Sequence, residues 1–369
     1  MPEREGQTVL HFVAADADRG GILSVVRALA GAEEFGCVLG VNPGFVQTRA
    51  PRLETWEAPR MAGEAITLRN FWRARAGARA VRDWLRADRR RVYHGHSRAG
   101  MLVGLWLAWL GERRGVVSVH CYGRQRWFYR AIARRLGARL YWLSPAMRRY
   151  YGLSDRSWEQ CIPSCVPAVA AGTGPRARPP PAHRLRLGGM GLIVRVKGWH
   201  LVIEALASLP PALRARVTFD HIGAPDDTAA GRSYAREVRQ LARARGVESQ
   251  VRWRGEELSS QALLADIDAL VVATTNEALS VAMLEALAAG VPVLAADSGG
   301  PMDVLVPGRT GWFFRTGVAG DLARHLEAML GREAWRGIRI TPGDLARFEA
   351  PAVARQWSRV YRELQPEAS

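Results

Sequence analysis

Lysine is almost missing from this chain: of 52 basic residues one is lysine, Lys197, and the other 51 are arginine. Cysteine is sparse too. Cys37, Cys121, Cys161 and Cys165 have no metal-ligand spacing, since the Cys161/Cys165 pair lacks a second pair or a nearby histidine. That excludes a zinc-ribbon framework and leaves reduced, structural thiols as the expectation. Long apolar runs are absent; the most apolar stretch, Met101 to Leu110, is too short to span a bilayer and reads as a buried helix. No charged, then apolar, then small-residue leader opens the sequence, so a cytoplasmic protein is expected. The stretch Ala14–Ile22 after the first candidate strand does not supply G-x-G-x-x-G, which argues against an NAD-dependent dehydrogenase.

What is present is regular alternation. A chain of 369 residues is too long for one ordinary core and suggests two domains. In the first half, Val9–Val13, Cys37–Val41, Val92–His94, Val116–His120 and Arg139–Leu143 read as strands. Between them Phe71, Ala74, Ala78, Val81 and Leu85 recur at helical spacing, with arginines around the rest of the helix. Ala168–His183 then breaks the pattern with Gly and Pro and reads as a linker. Beyond it, Leu185–Gly188, Val217–Ile222, Val251–Trp253, Ala269–Ala273 and Val291–Ala295 read as strands, and Ala235–Arg245 and Leu279–Ala289 as helices. A last helix over Pro351–Leu364 is amphipathic through Val353, Trp357, Val360 and Leu364 and needs a surface to pack on. Strands alternating with helices imply two doubly wound α/β domains with parallel sheets.

Charge is uneven. Residues 1–170 hold 27 Arg/Lys against 14 Asp/Glu, or +13, out of +17 for the whole chain. A basic half suits an anionic partner such as a nucleic acid, a membrane surface or a phosphorylated substrate. The arginines spread over several helices instead of one stripe, and no nucleic-acid module is visible, so nucleic acid is not expected. Arginine beside Trp127, Phe128 and Tyr129 fits an anionic membrane surface better, whereas around Phe71 and Trp72 the same pairing is expected first of an ordinary amphipathic helix of an α/β domain.

The solitary lysine lies in Gly191-Leu192-Ile193-Val194-Arg195-Val196-Lys197-Gly198, between a strand and a helix. Arginine is a wide planar fork and lysine a compact ammonium, so a tight site against a phosphate resists exchange of one for the other. A second candidate site runs from Ala273 to Ser280, ending a strand and opening a helix that continues into Glu285-Ala286-Leu287-Ala288-Ala289-Gly290. A helix N-terminus at the carboxyl ends of parallel strands is a natural phosphate site, here including Ala278, Leu279 and Ser280. Glu277 precedes the helix and Glu285 lies eight residues on, about two turns and ~12 Å along the axis, so the two can bracket an elongated ligand. Two D-x-D strings, Asp16-Ala17-Asp18 and Asp266-Ile267-Asp268, read as structural acids and not as a metal site.

These segments together resemble the retaining GT-B glycosyltransferases of family four. Glu277 and Glu285 with the following Ala286 to Val293 are similar to its E-x7-E signature, and Gly191 to Gly198 to its G-R-L-x-x-x-K-G segment. Gly20-Gly21-Ile22 resembles the family's N-terminal glycine loop, His94-Gly95-His96-Ser97 its H-x-H-S strand end, and Ser118-Val119-His120 the strand end that places a histidine in the cleft. Ser298 to Asp303 and Gly308 to Gly311 are similar to its GG-x-x-E and G-x-T-G stretches. The chain departs in having Leu192 where the arginine is common, Asp303 for Glu, and Ile162 to Pro167 for I-P-N-G-V-D.

The resemblance implies an α/β GT-B fold, two Rossmann-like doubly wound domains facing a cleft. Residues 1–168 would form an acceptor-side domain, with a C-terminal helix within 351–369 packing back on it; 169–183 would be the linker and 184–350 the donor-binding domain. It implies a retaining hexosyltransferase that moves a sugar from a nucleotide-diphospho-sugar to a glycan, lipid-linked or small-molecule acceptor, in polysaccharide or glycoconjugate synthesis, with no metal and no cofactor. Lys197 and Arg195 would neutralise the diphosphate, Glu285 would bond the ribose, and Glu277 would meet the sugar. His120 would be catalytic, and Gly20, Gly21 and His96 would line the acceptor side. A catalytically idle GT-B domain that only binds nucleotide-sugar or a membrane surface is the alternative.

Overall fold

A computed structural model describes residues 7–62, 66–153, 158–166, 184–257, 259–331 and 333–365. The chain divides into two compact units, one of Met1–Ala168 with Arg347–Ser369 and one of Val169–Ala346. The linker expected at 169–183 lies outside the described residues.

The first unit holds a six-stranded parallel sheet made of β1 (Thr8–Phe12), β2 (Gly36–Val41), β3 (Glu54–Glu57), β4 (Arg91–Gly95), β5 (Gly115–Val119) and β6 (Leu140–Trp142), in the order β3-β2-β1-β4-β5-β6. The strand order runs outward one way from β1 and the other way from β4, so the loops after these two parallel strands meet at a topological switch point. β1 and β4 are buried on both faces past their first residue, as strands inside a parallel sheet are, and each carries one buried histidine, His11 and His94. The helix Leu68–Arg86 starts at Thr67, whose hydroxyl accepts the Asn70 N–H at 3.1 Å. It buries Ala74, Ala78, Val81 and Leu85 and leaves its arginine face to water.

The terminal helix Ala350–Glu363 belongs to this first unit. Its buried stripe is Val353, Ala354, Trp357 and Tyr361, and the expected Val360 and Leu364 are only half-buried. The pattern admitted either stripe; Tyr361 wins because its hydroxyl meets His94 Nδ1 at 2.6 Å while its ring packs edge-on against Phe35.

The second unit repeats the plan with β7 (Leu185–Met190), β8 (Val217–Ile222), β9 (Val251–Gly255), β10 (Ala269–Val272), β11 (Val293–Ala296) and β12 (Gly311–Phe314). All are parallel, in the order β12-β11-β10-β7-β8-β9, which puts its switch point between β7 and β10. β3 and β12 are edge strands that the sequence pattern does not show. β3 is four residues, Glu-Thr-Trp-Glu, with three of them exposed, and β12 starts at Gly311, the last residue of the stretch read as G-x-T-G.

Candidate active site

The second unit's switch point gathers the loops that follow β7 and β10. After β7 the chain makes one 3-10 turn at Arg195–Lys197 and enters the helix Trp199–Ser208 through Gly198. Gly198 has φ +71°, and a Cβ there would strike the Ala273 carbonyl at the end of β10. Glycine is therefore required by both backbone and space. The Thr275 N–H donates to Val196 O at 3.1 Å, and the Trp199 indole N–H donates to Leu192 O at 3.0 Å, so the two loops are tied into one wall.

On that wall the Lys197 ammonium donates to Glu277 Oε2 at 2.8 Å, with side chains 28% and 12% exposed. The only lysine of the sequence and the first glutamate of the E-x7-E pair thus meet directly. Glu277 is held in turn from below. Gly300 N–H donates to its carbonyl at 2.8 Å, Ser298 Oγ–H donates to Thr275 O, and Gly299, at φ +72°, passes so close that a Cβ would strike that same carbonyl. The GG stretch read in sequence is thus a backbone clamp on the Glu277 loop.

Beyond Glu277, Ala278, Leu279 and Ser280 are buried, and the helix begins only at Val281, running to Ala288. Ser280 caps it by accepting the Met283 N–H at 3.2 Å. Since residues 277–280 are not helical, the 12 Å helical spacing expected for Glu277 and Glu285 does not apply; Glu285 lies in the second turn, half-buried. Arg195 points elsewhere than Lys197. Its guanidinium pairs with Glu237 and lies 4.9 Å over the Tyr234 ring, both on the helix Ala229–Ala244. Neither partner was singled out in the sequence, where nothing marks two helical residues more than 30 positions away.

One acid of each D-x-D string has structural partners. Asp268 accepts the Arg186 N–H at 2.7 Å, at the end of the sheet opposite the loops just described. Asp18 pairs with Arg27 at 2.6 Å and accepts the Thr48 and Arg49 N–H groups, which hold its carboxyl below the usual range despite burial.

In the first unit, His96 follows β4 and His120 follows β5. His96 N–H donates to Phe12 O at 3.0 Å, and His96 Nδ1 lies 3.0 Å from His120 Nε2. Gly20, at φ +100°, leads into the helix Gly21–Gly31 after β1. His11 and His94, given no role from sequence, stand opposite each other on β1 and β4 and join the same cluster, with rings 5.5 Å apart. The signal was available: strand histidines in adjacent, buried registers. Burial pushes His11 down to about 3 and His120 down to about 4, and holds His94 and His96 well below the ordinary imidazole value. Tyr129, grouped with Trp127 as an interfacial aromatic, is buried against Tyr151 at 4.5 Å and is removed from any surface role; Trp127 is 72% exposed.

These histidines predict an acid-sensitive fold. Each is neutral when folded and titrates near 6.5 when unfolded. The unfolded chain therefore binds more protons below pH 6.5, and stability falls as pH drops from there toward 4, by up to about 1.4 kcal/mol per pH unit for each ring. Depressed carboxyls such as Asp18 lose their contribution only below about 4, so the two windows separate. Urea midpoints at pH 7 and pH 4.5 check this, and a midpoint unchanged over that range would contradict it.

A fold of two parallel, doubly wound units with the loops of each meeting at its switch point is that of the GT-B glycosyltransferases. Residues 183–336 match the family described as Glycosyl transferases group 1, a stretch that falls within the second unit. The chain is 30% identical over 156 residues to the lipopolysaccharide core biosynthesis glycosyltransferase LpsE of Rhizobium meliloti, a match spanning 42% of each chain. It thus spans less than half the length of that relative. Among solved structures it is similar to sucrose-phosphate synthase from Thermosynechococcus elongatus, with a TM-score of 0.73, 19% identity, and 98% and 99% of the two chains covered. It is also similar to HepE from Anabaena in complex with UDP, with a TM-score of 0.71, 16% identity, and 97% and 100% covered.

Proposed function

We propose that the chain is a retaining glycosyltransferase that moves a sugar from a nucleotide-diphospho-sugar to a glycan or lipid-linked acceptor in cell-surface polysaccharide or glycoconjugate synthesis. The observation that carries this reading is the Lys197–Glu277 pair on a glycine-clamped wall at the second unit's switch point. Open α/β sheets bind ligands at that place. Breaking the donor's glycosidic bond leaves charge on a diphosphate, and a fixed ammonium with helix N–H groups stabilises it as it develops. Lys197 and Arg195 would take that charge, Arg195 after leaving Glu237. Glu285 would hold the ribose, Glu277 and His120 the reacting sugar, and Gly20, Gly21 and His96 the acceptor side. Protein cations would do this without a metal, so EDTA is expected to leave the rate unchanged. The relatives named as transferases weigh against an idle binding domain.

Screening UDP, GDP, ADP, CMP and dTDP by thermal shift tests the reading, because a ligand that binds the folded state raises its midpoint by mass action. One diphosphate is expected to stabilise the protein and its bare nucleoside to do so far less. Stabilisation by none of them would remove the donor site.

We also propose that the first unit meets an anionic membrane surface from the cytoplasmic side. No helix of the described residues is long and apolar enough to cross a membrane. Leu68, Trp72 and Trp109 are 75%, 54% and 46% exposed around the half-buried Phe71 and Trp106. Arg75 lies over the Trp106 ring at 5.7 Å. Phosphatidylglycerol vesicles should pellet the protein at low salt and lose it at high salt, as attraction fades over a Debye length of roughly 10 Å at 0.1 M. Replacing Trp72 and Trp109 by alanine should weaken this by ~10-fold or more. No pelleting at low salt would leave the charge as composition.

A further inference from the structure

Behind His120 and His96 the first unit continues a line of groups, His11 and Cys37, to which the proposed transfer gives no part. Cys37 Sγ lies 3.5 Å from His11 Nε2, His11 Nδ1 lies 2.8 Å from His96 Nε2, and His96 Nδ1 lies 3.0 Å from His120 Nε2. His11 and His96 are buried, at 0% and 2% exposure, and His120 is partly exposed. Among the described residues His120 Nδ1 has no hydrogen-bond partner, so it is the nitrogen left to face a ligand.

All three rings are held neutral by burial. A neutral imidazole carries one proton, so one nitrogen donates and the other accepts. That rule leaves two complete arrangements of the line. If the Cys37 thiol donates to His11, then His11, His96 and His120 are each protonated on Nδ1. If His120 donates inward, each is protonated on Nε2 and the Cys37 sulfur accepts. Any mixture sets two N–H groups or two bare nitrogens against each other at a buried contact, where nothing else can satisfy them.

We propose that His11 and His96, reaching back to Cys37, are positioning residues that hold His120 in a tautomer shared by all three rings. Whether His120 Nδ1 offers a proton or a lone pair to a ligand hydroxyl is then decided by the whole line, and it inverts only as a unit. A thiol both donates and accepts, so Cys37 closes the line in either sense, and its loss leaves His11 Nε2 without that partner and resets the balance between the two.

The same cluster offers three histidine nitrogens, from His11, His94 and His96, within 4.8 Å of one another. A metal ion fits it poorly. His94 already meets the Tyr361 hydroxyl at 2.6 Å through Nδ1 and the Ser118 hydroxyl at 2.7 Å through Nε2. His11 Nδ1 and His96 Nε2 face each other instead of converging on a common point.

The test reads nitrogen protonation, so it stands apart from whether sugar transfer is found. The full chain labelled with [15N]histidine is examined by long-range proton–nitrogen correlation at neutral pH, with resonances assigned by single substitutions. His11, His96 and His120 are expected to be protonated at the same nitrogen; opposite tautomers on any two overturn the proposal. In Cys37→Ala the three populations should shift together and by the same fraction, while His94, off the line, keeps its own. A shift at His120 alone, or no shift at any of the three, overturns the role given to Cys37. Zinc retained at one equivalent through dialysis, and lost in His11→Gln, would make the cluster a metal site and overturn the line as well.

Discussion

Lys197→Ala is expected to lower donor turnover by ~100-fold, and Lys197→Arg, which keeps the charge, by ~10-fold or more. A hydrogen bond to a charged group contributes about 1.5–3 kcal/mol, and 1.4 kcal/mol is a factor of ten. Arginine does not replace the ammonium because the space is set by backbone on both sides. Gly198 is pressed against the Ala273 carbonyl, and Val196 O is tied to the Thr275 N–H at 3.1 Å. A guanidinium is wider and directs its N–H groups in a fixed plane. Steady-state kinetics of donor hydrolysis, with a melting curve for each variant, separate lost chemistry from lost folding. Wild-type turnover by Lys197→Arg would show that the solitary lysine is an accident of composition.

Glu277→Gln and Glu285→Gln should fail in different ways. Glu277→Gln is expected to lower kcat by roughly 10²–10³-fold, the scale of removing one preorganised electrostatic group, with nucleoside diphosphate affinity nearly kept. Glu285→Gln should instead weaken nucleotide binding by ~10-fold, the cost of a charged hydrogen bond. The Lys197–Glu277 contact of 2.8 Å sharpens the first expectation. Glutamine cannot neutralise the ammonium, so Lys197 stays free to take phosphate while the carboxylate needed at the sugar is gone. Calorimetry with the diphosphate found by screening, beside kcat, is the check. Affinity lost in Glu277→Gln and kept in Glu285→Gln would place the donor in the opposite direction along the wall.

The alternation of buried strands and amphipathic helices carried the two-unit, parallel architecture because a sheet covered on both faces writes near-continuous apolar runs. The edge strands escaped for the same reason. Glu54–Glu57 is covered on neither face well enough to need apolar residues, and Gly311–Phe314 is too short to stand out beside its turn. The glycines of the Lys197 and Ser298 segments were legible as motifs, but not their physical task, which is to let carbonyls of the loop after β10, those of Ala273, Glu277 and Ala278, approach closely. Pairings between distant positions were not legible at all. Lys197 with Glu277, Arg195 with Glu237, and His94 with Tyr361 follow from strand order, which no local pattern encodes. His11 was passed over because one histidine in a strand carries no signal until its neighbour across the sheet is known to be His94.

Sugar transfer with retention from a nucleotide-diphospho-sugar is read from the anomer of the first product. The protein is mixed with the nucleotide-sugars of whichever diphosphate stabilises it, and the released or transferred sugar is followed by proton NMR before it equilibrates. Turnover of at least one donor is expected, with the new sugar appearing first in the donor's own anomeric configuration. An inverted anomer, or no turnover of any sugar carried on that diphosphate, would contradict it.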